Sequence, residues 1–218
     1  NPLSYDGWTY TWEEGRQLKS MTKAGTSLSF KYNSSGLRTE KSVNGVPTKY
    51  TYLGGKVAFE TTGADTIHYT YDDDGAPFSM TFGGSEYFYL TNVQGDVTGL
   101  ANAAGATVVS YSYDSWGRLI LTDGSMKDTL GVKNPYRYRG YRYDTATRLY
   151  VTATRHYDPE IGRFNNTDPL VDIALFDEGL GMLAYNLYAY CANNPVNLSD
   201  HSGMAVTPAN VIGAVIGA

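Results

Sequence analysis

Two aspartates near the C-terminal end of the sequence have the residue type and spacing of a possible catalytic pair. Asp168 lies in GRFNNTDPL, and Asp200 follows 32 residues later in NNPVNLSDHSGM. Peptide hydrolysis by an aspartic mechanism needs two carboxylates that share one proton, so that one activates water while the other donates to the carbonyl oxygen. The two aspartates can meet if the segment between them folds back. Asp-Pro and SDHSG are also ordinary turn sequences, so a structural role is the alternative.

Three residues beside these aspartates bear on the same chemistry. Arg155, in RHYDPEIGRF, could hold one carboxylate ionised or orient a cleaved strand, although a structural salt bridge is the alternative. Gly203 allows the backbone to approach the carboxylates closely because it has no Cβ. His201 directly follows Asp200 and is either a surface turn residue or a charged neighbour of that carboxylate.

Other kinds of site receive little support from the sequence. The single cysteine, Cys191, has no partner for an internal disulfide and no recognisable nucleophile motif, so we predict a small buried residue. No cysteine–histidine cluster has zinc-ligand spacing, and we predict neither a metal site nor a cofactor. The formal net charge of −5, from 17 basic and 22 acidic residues, does not favour nucleic-acid binding by this segment.

A repeat of about twenty residues fills the part of the chain that precedes these motifs. An aromatic–x–aromatic unit runs into glycine at YTWEEG (10–15), FKYNSSG (30–36), YTYLGG (50–55), YTYDDDG (69–75), FYLTNVQG (88–95) and YSYDSWG (111–117). The second aromatic residues recur at near-constant spacing, with a longer gap around Tyr89. A fixed period of this kind indicates one supersecondary unit that is repeated along the chain.

Each repeat has the pattern of a β-hairpin. Apolar and polar residues alternate with period two, as in IHYTYDDDG, and Asn, Asp and Gly follow each aromatic pair where a turn is needed. A single hairpin cannot bury its own face, so we predict a mainly β fold in which hairpins stack edge to edge in one long winding sheet. An alternative use of the tyrosines is a sugar-binding platform. We expect no helix between Asn1 and Leu121.

The repeat ends near Thr122, and the sequence after it has no twenty-residue period. The run from Leu183 to Cys191 is mostly apolar and weakly helical, and it stops at NNPVN, where Asn and Pro end a helix.

The quoted motifs resemble a known family. YTYDDDG and YSYDSWGRL are similar to YD repeats, the family of Rhs proteins, C components of insecticidal Tc toxins, wall-associated bacterial proteins and animal teneurins. YRGYRYDTATRLY (138–150), RHYDPEIGRF (155–164) and NLYAYCANNPVNLSDHSG (186–203) resemble the Rhs repeat-associated core domain. The resemblance implies a shell-like YD-repeat sheet over 1–121, a core plug carrying a little helix over 122–204, and the start of a variable C-terminal toxin region over 205–218.

The resemblance also implies a self-cleaving aspartic protease that cuts after a DPxGL motif. Asp200, Ser202 and Gly203 match the Asp, x and Gly of that motif, whereas His201 stands in place of proline. Met204 takes the position of leucine, so the scissile bond is expected between Met204 and Ala205.

Two further matches complete the implied site. Asp168 matches the second catalytic aspartate of the family, and Arg155 matches an arginine tied to cleavage in relatives.

The implied protein is the C-terminal part of a bacterial toxin shell, secreted or on the cell surface. Its expected partners are its own C-terminal toxin domain, the rest of the YD-repeat shell, an immunity protein and a delivery apparatus. The alternative is a non-catalytic structural or adhesive protein of the cell surface, whose repeats bind carbohydrate and whose DHSG motif is inactive. A weaker third possibility is a stand-alone hydrolase that acts on other proteins.

Overall fold

A computed structural model of the chain describes residues 1–15, 17–152, 155–167, 186–200, 203 and 207–208. Arg155, Asp200 and Gly203 fall within these ranges. Four of the predicted site residues lie outside them: Asp168, His201, Met204 and Ala205. The predicted start of the toxin region is outside as well, except for residues 207–208, and so is the first part of the predicted helical run, 183–185.

One antiparallel sheet of 13 strands accounts for the repeating part of the chain, and its strands lie in sequence order. The strands are β1 Ser4–Tyr5, β2 Trp8–Glu13, β3 Gln17–Lys23, β4 Thr26–Tyr32, β5 Arg38–Val43, β6 Val46–Leu53, β7 Lys56–Thr62, β8 Asp65–Tyr71, β9 Pro77–Phe82, β10 Ser85–Thr91, β11 Val97–Asn102, β12 Thr107–Tyr113 and β13 Leu119–Asp123. The predicted mainly β fold, built from hairpins stacked edge to edge, is therefore confirmed. No helix interrupts the described part of this segment.

A β-bulge marks the same position in every repeat. The pairing register shifts at the second aromatic residue of the unit, at Trp12, Tyr32, Tyr52, Tyr71 and Tyr113. A bulge adds one unpaired residue, bends the strand and increases its twist. These bulges recur about once per repeat and bend the sheet repeatedly, and one further register shift lies between Leu100 and Ala101.

The aromatic residue at the bulge ties each repeat to the preceding one. Its hydroxyl donates a hydrogen bond to the main-chain carbonyl of the residue opposite the preceding bulge. These bonds join Tyr32 to Leu18 (2.9 Å), Tyr52 to Arg38 (2.8 Å), Tyr71 to Val57 (2.7 Å) and Tyr113 to Val97 (2.8 Å). The ring packs on the inner face of the sheet. The hydroxyl loses contact with water there and bonds to a carbonyl instead, as tyrosine hydroxyls normally do when the ring leaves water.

In four repeats, the side chain of the residue after the bulge position closes the turn: Asn33, Asp72, Asn92 and Asp114. In the last repeat, the Asp114 carboxylate accepts the backbone N–H groups of Trp116 and Arg118, both at 2.9 Å. Gly117 ends this turn with a φ of 85°, a conformation that L side chains rarely adopt. The tyrosine–aspartate pair thus has two separate tasks: the tyrosine holds the previous repeat, and the aspartate caps the turn.

Thr91 occupies the bulge position in the fifth unit, which explains the longer gap around Tyr89. The register shift is preserved between Leu90 and Thr91, but no aromatic ring is available there. The non-repeating part approaches the sheet at this unit: the Tyr136 hydroxyl lies 2.5 Å from that of Tyr71, and its ring packs edge-on against Tyr89.

The non-repeating part is built from short elements. They are helix α1 Leu130–Lys133, a 3₁₀ turn Tyr138–Gly140, the four-stranded sheet β14 Arg142–Asp144, β15 Leu149–Val151, β16 His156–Asp158 and β17 Arg163–Phe164, and the pair β18 Leu198–Ser199 and β19 Thr207–Pro208. Within the described ranges, no helix has the length and apolar character needed to cross a membrane.

The described residues of the predicted helical run, 186–191, do not form a continuous helix. Its residues 186–190 form a turn, a bend and a β-bridge from Ala189 to Arg163. The run ends at Cys191, which begins a 3₁₀ turn with Ala192 and Asn193, and their φ values are 49°, 48° and 61°. These values are left-handed, and each non-glycine residue in that region costs about 1–2 kcal/mol. The apolar residues of this run serve a packed turn, since Cys191 is fully buried as predicted.

Buried aromatic residues form the core of the non-repeating part and fix it to the last repeat. The core contains Tyr138, Tyr141, Tyr150, Tyr157, Phe164, Tyr190 and Cys191. Three of its hydroxyls donate to three successive carbonyls of the last repeat turn: Tyr138 to Ser115 (2.9 Å), Tyr157 to Trp116 (2.7 Å) and Tyr150 to Gly117 (2.8 Å). The plug is therefore positioned by the same kind of bond that joins the repeats.

We expect Tyr52→Phe to lower the free energy of unfolding by about 1 kcal/mol, because it removes the hydrogen bond to the Arg38 carbonyl and keeps the ring. Urea denaturation followed by circular dichroism measures the change. Tyr5→Phe is the matched control at an exposed position and should have no measurable effect. Equal urea midpoints for Tyr52→Phe and the parent chain would contradict this role of the hydroxyl.

We also expect stability to fall in alkaline solution. Burial raises the pKa of Tyr10 and of Tyr138 from 10.0 to about 12. Because the folded chain resists ionisation, these tyrosines stabilise it fully below about pH 10 and lose that contribution as the pH rises toward about 12. The urea midpoint should fall across this interval while phenolate absorbance rises together with unfolding. Phenolate formation in a chain that stays folded would contradict the expectation.

Candidate active site at Asp200

A buried ion pair joins two of the predicted site residues. The Arg155 Nη2 lies 2.8 Å from the Asp200 Oδ2, and the two residues are only 3% and 1% exposed. The residues are 45 positions apart in sequence. Breaking a buried pair of this kind by removing one partner is strongly destabilising, because it leaves the other charge uncompensated.

Arg155 is held by its own loop and by an aromatic ring. The Thr152 hydroxyl accepts the Arg155 N–H (3.1 Å) and donates to the Arg155 carbonyl (3.0 Å), which fixes the approach to β16. The guanidinium carbon lies 3.5 Å from the centre of the Phe164 ring, and Nη1 donates to the Leu187 carbonyl (3.3 Å). The guanidinium plane therefore has little freedom, and its Nη2 is directed at Asp200.

Asp200 is fixed through its main chain by Tyr141. The Tyr141 hydroxyl donates to the Asp200 carbonyl (2.8 Å), accepts the Asp200 N–H (3.3 Å) and lies 3.2 Å from the Tyr190 hydroxyl. Asp200 directly follows the short strand β18. Nothing in the sequence pattern singles out Tyr141 or Tyr190 for this task, because both also look like ordinary core tyrosines.

Gly203 turns the chain back toward Asp200. Its N–H donates to the Asp200 carbonyl at 3.4 Å, and its φ of 70° is in the region that favours glycine. Gly203, the predicted glycine of the cleavage motif, is buried. The turn that it closes begins at Asp200. The expected scissile bond follows directly, although Met204 and Ala205 lie outside the described residues.

The chain that leads to Asp168 runs beside Arg155. Asn166 accepts the His156 N–H through its side-chain oxygen (2.9 Å), and the Asn165 N–H donates to the His156 carbonyl (2.7 Å). The structure brings Arg155, Asp200 and Gly203 together. The position of Asp168 relative to them stays a prediction, because Asp168 is outside the described residues, as is His201.

A second charged cluster lies next to the ion pair along the chain. Arg38 donates to Nε2 of His156 (2.6 Å), and Lys41 pairs with Asp144 (3.0 Å). Burial, together with the positive charge of Arg38, lowers the pKa of His156 to about 3, so the ring is neutral near pH 7. Burial acts to raise the pKa of Asp144, but Lys41 and Arg38 outweigh it and lower that pKa overall. This cluster fastens β16 to the repeat sheet.

The thiol of Cys191 is unsuited to act as a nucleophile. Burial raises its pKa to about 12, so it is protonated at neutral pH. Among the described residues, no group of three histidine, cysteine, aspartate or glutamate side chains is placed to hold a metal ion.

A partly open cavity of about 1100 Å³ lies between the inner face of the sheet and the plug. Arg155, His156 and Ser199 line it on the plug side, opposite the bulge tyrosines Tyr32, Tyr52 and Tyr71. Arg155 thus lies at the border between the packed core and this cavity.

We expect Arg155→Met to destabilise the fold by about 3–5 kcal/mol, because it leaves the buried Asp200 carboxylate without its cation. The double variant Arg155→Met/Asp200→Asn should recover much of this loss, since no charge is then buried alone. Urea denaturation of the four chains of this cycle gives the coupling energy. Arg118→Met, which removes an exposed pair with Asp114, is the control and should cost at most about 1 kcal/mol. A coupling energy near zero would contradict a buried ion pair.

Comparison with known proteins places this geometry in context. The family model described as Teneurin YD-shell matches residues 57–196. The tRNA3(Ser)-specific nuclease WapA of Bacillus spizizenii is 39% identical over 214 residues, which cover 93% of this chain and 9% of that protein. The toxin protein Tse5 of Pseudomonas aeruginosa is 39% identical over 80 residues, covering 37% of this chain and 5% of Tse5. The chain therefore spans less than a tenth of either relative.

A solved structure shares the fold at lower identity. The crystal structure of TcdB2-TccC3 without its hypervariable C-terminal region matches with a TM-score of 0.72 and 20% identity, covering 92% of this chain and 10% of that one. The bulged hairpins, the plug docked on the last repeat and the family model point to the same conclusion. This chain belongs to the Rhs/YD-repeat family and has the YD-shell fold.

Proposed function

We propose that this chain is the C-terminal part of a bacterial toxin shell and that it cuts itself between Met204 and Ala205. The repeat sheet supplies the wall, and the non-repeating part closes it. Relatives described as a tRNA nuclease and as a toxin protein support an association with toxins. Because the chain spans only a small fraction of those proteins, the toxin activity itself belongs to a region beyond this segment.

The observation that carries the proposal is the buried Arg155–Asp200 pair, four residues before Met204. Gly203 closes a turn at the main-chain carbonyl of Asp200, so the chain three residues after Asp200 is still next to its main chain. The proposed scissile bond follows this turn directly and is therefore close to the carboxylate in sequence.

We propose the roles of the two aspartates from the position of Arg155. Its guanidinium lies 2.8 Å from Asp200, which supports Asp200 as the carboxylate that accepts a proton from water. Asp168 is then the protonated partner that donates to the carbonyl oxygen of Met204. Asp168 is two residues beyond Asn166, whose side chain binds His156, and two residues of chain span at most about 7 Å.

The proposed reaction is a single hydrolysis. Water attacks the carbonyl carbon of Met204, Asp200 takes one proton from it, and Asp168 protonates the carbonyl oxygen. As the tetrahedral intermediate collapses, the bond to the nitrogen of Ala205 breaks, that nitrogen takes the proton held by Asp200, and one hydroxyl of the intermediate returns a proton to Asp168. The products are a carboxylic acid at Met204, which ionises near neutral pH, and an amine at Ala205. No cofactor is needed for this sequence of steps.

The partners follow from the container role. They are the toxin region that starts at Ala205, the rest of the YD-repeat shell, an immunity protein that protects the producing cell and an apparatus that delivers the shell. The proposed location is outside the cell or at its surface. Nucleic acid is not a proposed partner of this segment, because its net charge is −5.

We expect the intact mass of the purified chain to lack the 14 residues after Met204. Asp200→Asn and Asp168→Asn should each stay full length, because each removes a carboxylate that the hydrolysis requires. Mass spectrometry after incubation at mildly acidic and neutral pH measures the outcome.

Asp158→Asn is the matched control, since Asp158 is also buried but lies at the turn side of β16, where its carboxylate caps the backbone of Glu160. It should be cleaved like the parent. A parent chain that stays intact over days, or an Asp200→Asn chain that is still cut after Met204, would contradict the proposal. An intact parent would favour the non-catalytic surface protein.

A further inference from the structure

Among the described residues, four buried or half-buried arginines are paired with carboxylates, whereas Arg137 is not. Arg139 lies 3.8 Å from Asp96, Arg155 lies 2.8 Å from Asp200, Arg38 lies 3.7 Å from Asp144, and Arg142 pairs with Glu60. Arg137 is just as buried, at 3% exposure, but no carboxylate of the described residues is within salt-bridge distance of it. An unpaired buried charge is costly, so its retention needs an explanation.

The contacts of Arg137 leave part of its hydrogen-bonding capacity unused. Its guanidinium lies between two rings, 5.0 Å from the centre of Tyr111 and 4.7 Å from that of Tyr143. Nη2 donates to the Gly131 carbonyl (3.0 Å), while Nε is buried and has no acceptor among the described residues. The two rings hold the guanidinium plane in place, as cation–π contacts do, without neutralising its charge.

Arg137 lines an open cleft with a volume of about 370 Å³. Lys127 and Arg148 bring two more cationic side chains to the cleft, and Asp128 contributes a single carboxylate. Lys127, Asp128 and Arg148 are exposed, so the rim is hydrated while the floor is not. The balance of three cationic side chains against one carboxylate gives the cleft a positive field that favours an anionic group.

One wall of the cleft is an edge strand. Leu119 and Thr122 belong to β13, which within the described part of the chain pairs with β12 alone. The strand also exposes apolar side chains, with Ile120 at 62% and Leu121 at 56%. An unpaired edge with exposed apolar residues is a template for an added strand, which gains main-chain hydrogen bonds along its length.

We propose that this cleft is a docking site for an extended peptide segment of another protein, whose acidic side chain binds Arg137 while its backbone pairs with β13. The Arg137 guanidinium has already lost its hydrating water when the chain folds. An incoming carboxylate therefore meets a fixed N–H donor from which no water has to be removed. A carboxylate that reaches this donor forms a charge-assisted hydrogen bond, which is stronger than a neutral one. The site is independent of the proposed cleavage and lies on residues that the cleavage does not use.

The test uses the 218-residue chain and two acetylated and amidated pentapeptides, Val-Thr-Glu-Val-Thr and the same peptide with Gln in place of Glu. Isothermal titration calorimetry should show that the Glu peptide binds at least about tenfold more tightly than the Gln peptide. Arg137→Gln should reduce the affinity for the Glu peptide to that of the Gln peptide. Methylation of the peptide nitrogens should weaken binding severalfold by removing main-chain donors.

A second variant covers the case in which Arg137→Gln fails to fold. Lys127→Gln/Arg148→Gln alters two exposed rim residues only, and it should weaken binding of the Glu peptide severalfold. Arg118→Gln is the matched control, because Arg118 is an exposed arginine that pairs with Asp114 and does not line the cleft. It should bind like the parent.

Two free anions, acetate and inorganic phosphate, complete the test. Neither should bind as tightly as the Glu peptide, because neither can pair with β13. Equal affinity for the two peptides, or binding that neither the Arg137 variant nor the rim variant weakens, would overturn the proposal. Acetate or phosphate that binds as tightly as the Glu peptide would also overturn it, by showing a small-anion site.

Discussion

The hydrogen bond from a buried tyrosine hydroxyl to a main-chain carbonyl is the interaction on which this structure depends. A phenol ring that leaves water must bring its hydroxyl to an acceptor, because an unsatisfied buried polar group costs about 1–3 kcal/mol. In the repeats the acceptor is a carbonyl opposite the preceding bulge, as between Tyr52 and Arg38. The same bond holds the plug, where Tyr138, Tyr150 and Tyr157 reach the turn at 115–117. These bonds give a tyrosine-rich chain with little charge a way to fix its strands without disulfides.

Arginine supplies the complementary interaction between sheet and plug. Arg142 stacks on the rings of Tyr50, Tyr69 and Tyr136 and pairs with Glu60 of the sheet. Arg139 reaches from the plug to Gln94 and to Pro195, so it joins the fifth repeat, the plug and the last block of the chain. Burying these guanidiniums is possible because tyrosine faces and carboxylates compensate them together. As a result, Arg139 near the start of the non-repeating part and Pro195 near its end are in direct contact.

This packing has a consequence for the candidate site. Arg155 and Asp200 belong to different blocks of the sequence. Phe164 pairs with the main chain at Tyr188, and Tyr141 holds the main chain of Asp200, so these contacts help to bring the two blocks together. The Asp200 carboxylate is therefore buried and held at a fixed position. The strained turn at Cys191–Asn193 lies in the same segment, and strain of this kind persists where the surrounding structure enforces it.

The sequence by itself determined the repeat, the strand pattern and the turn chemistry. These are local properties, because alternation, an aspartate after the aromatic residue and a glycine three residues later act within one hairpin. It also indicated Arg155, Asp200 and Gly203, although through resemblance to a family and not through their spacing. The run that ends at Cys191 was misjudged in its described part, since apolar spacing cannot tell a buried helix from a packed left-handed turn.

Only the tertiary structure decided which long-range partners meet. The pairing of Arg155 with Asp200 across 45 residues results from packing within the non-repeating part. The approach of Tyr136 to Tyr71 and Tyr89 results from how that part docks on the sheet. Among the described residues, no carboxylate lies within salt-bridge distance of Arg137. The residues next to a side chain in sequence do not reveal which distant residue it contacts. The physical reason is that burial and charge compensation depend on what surrounds a side chain in space, which the local pattern of the chain does not contain.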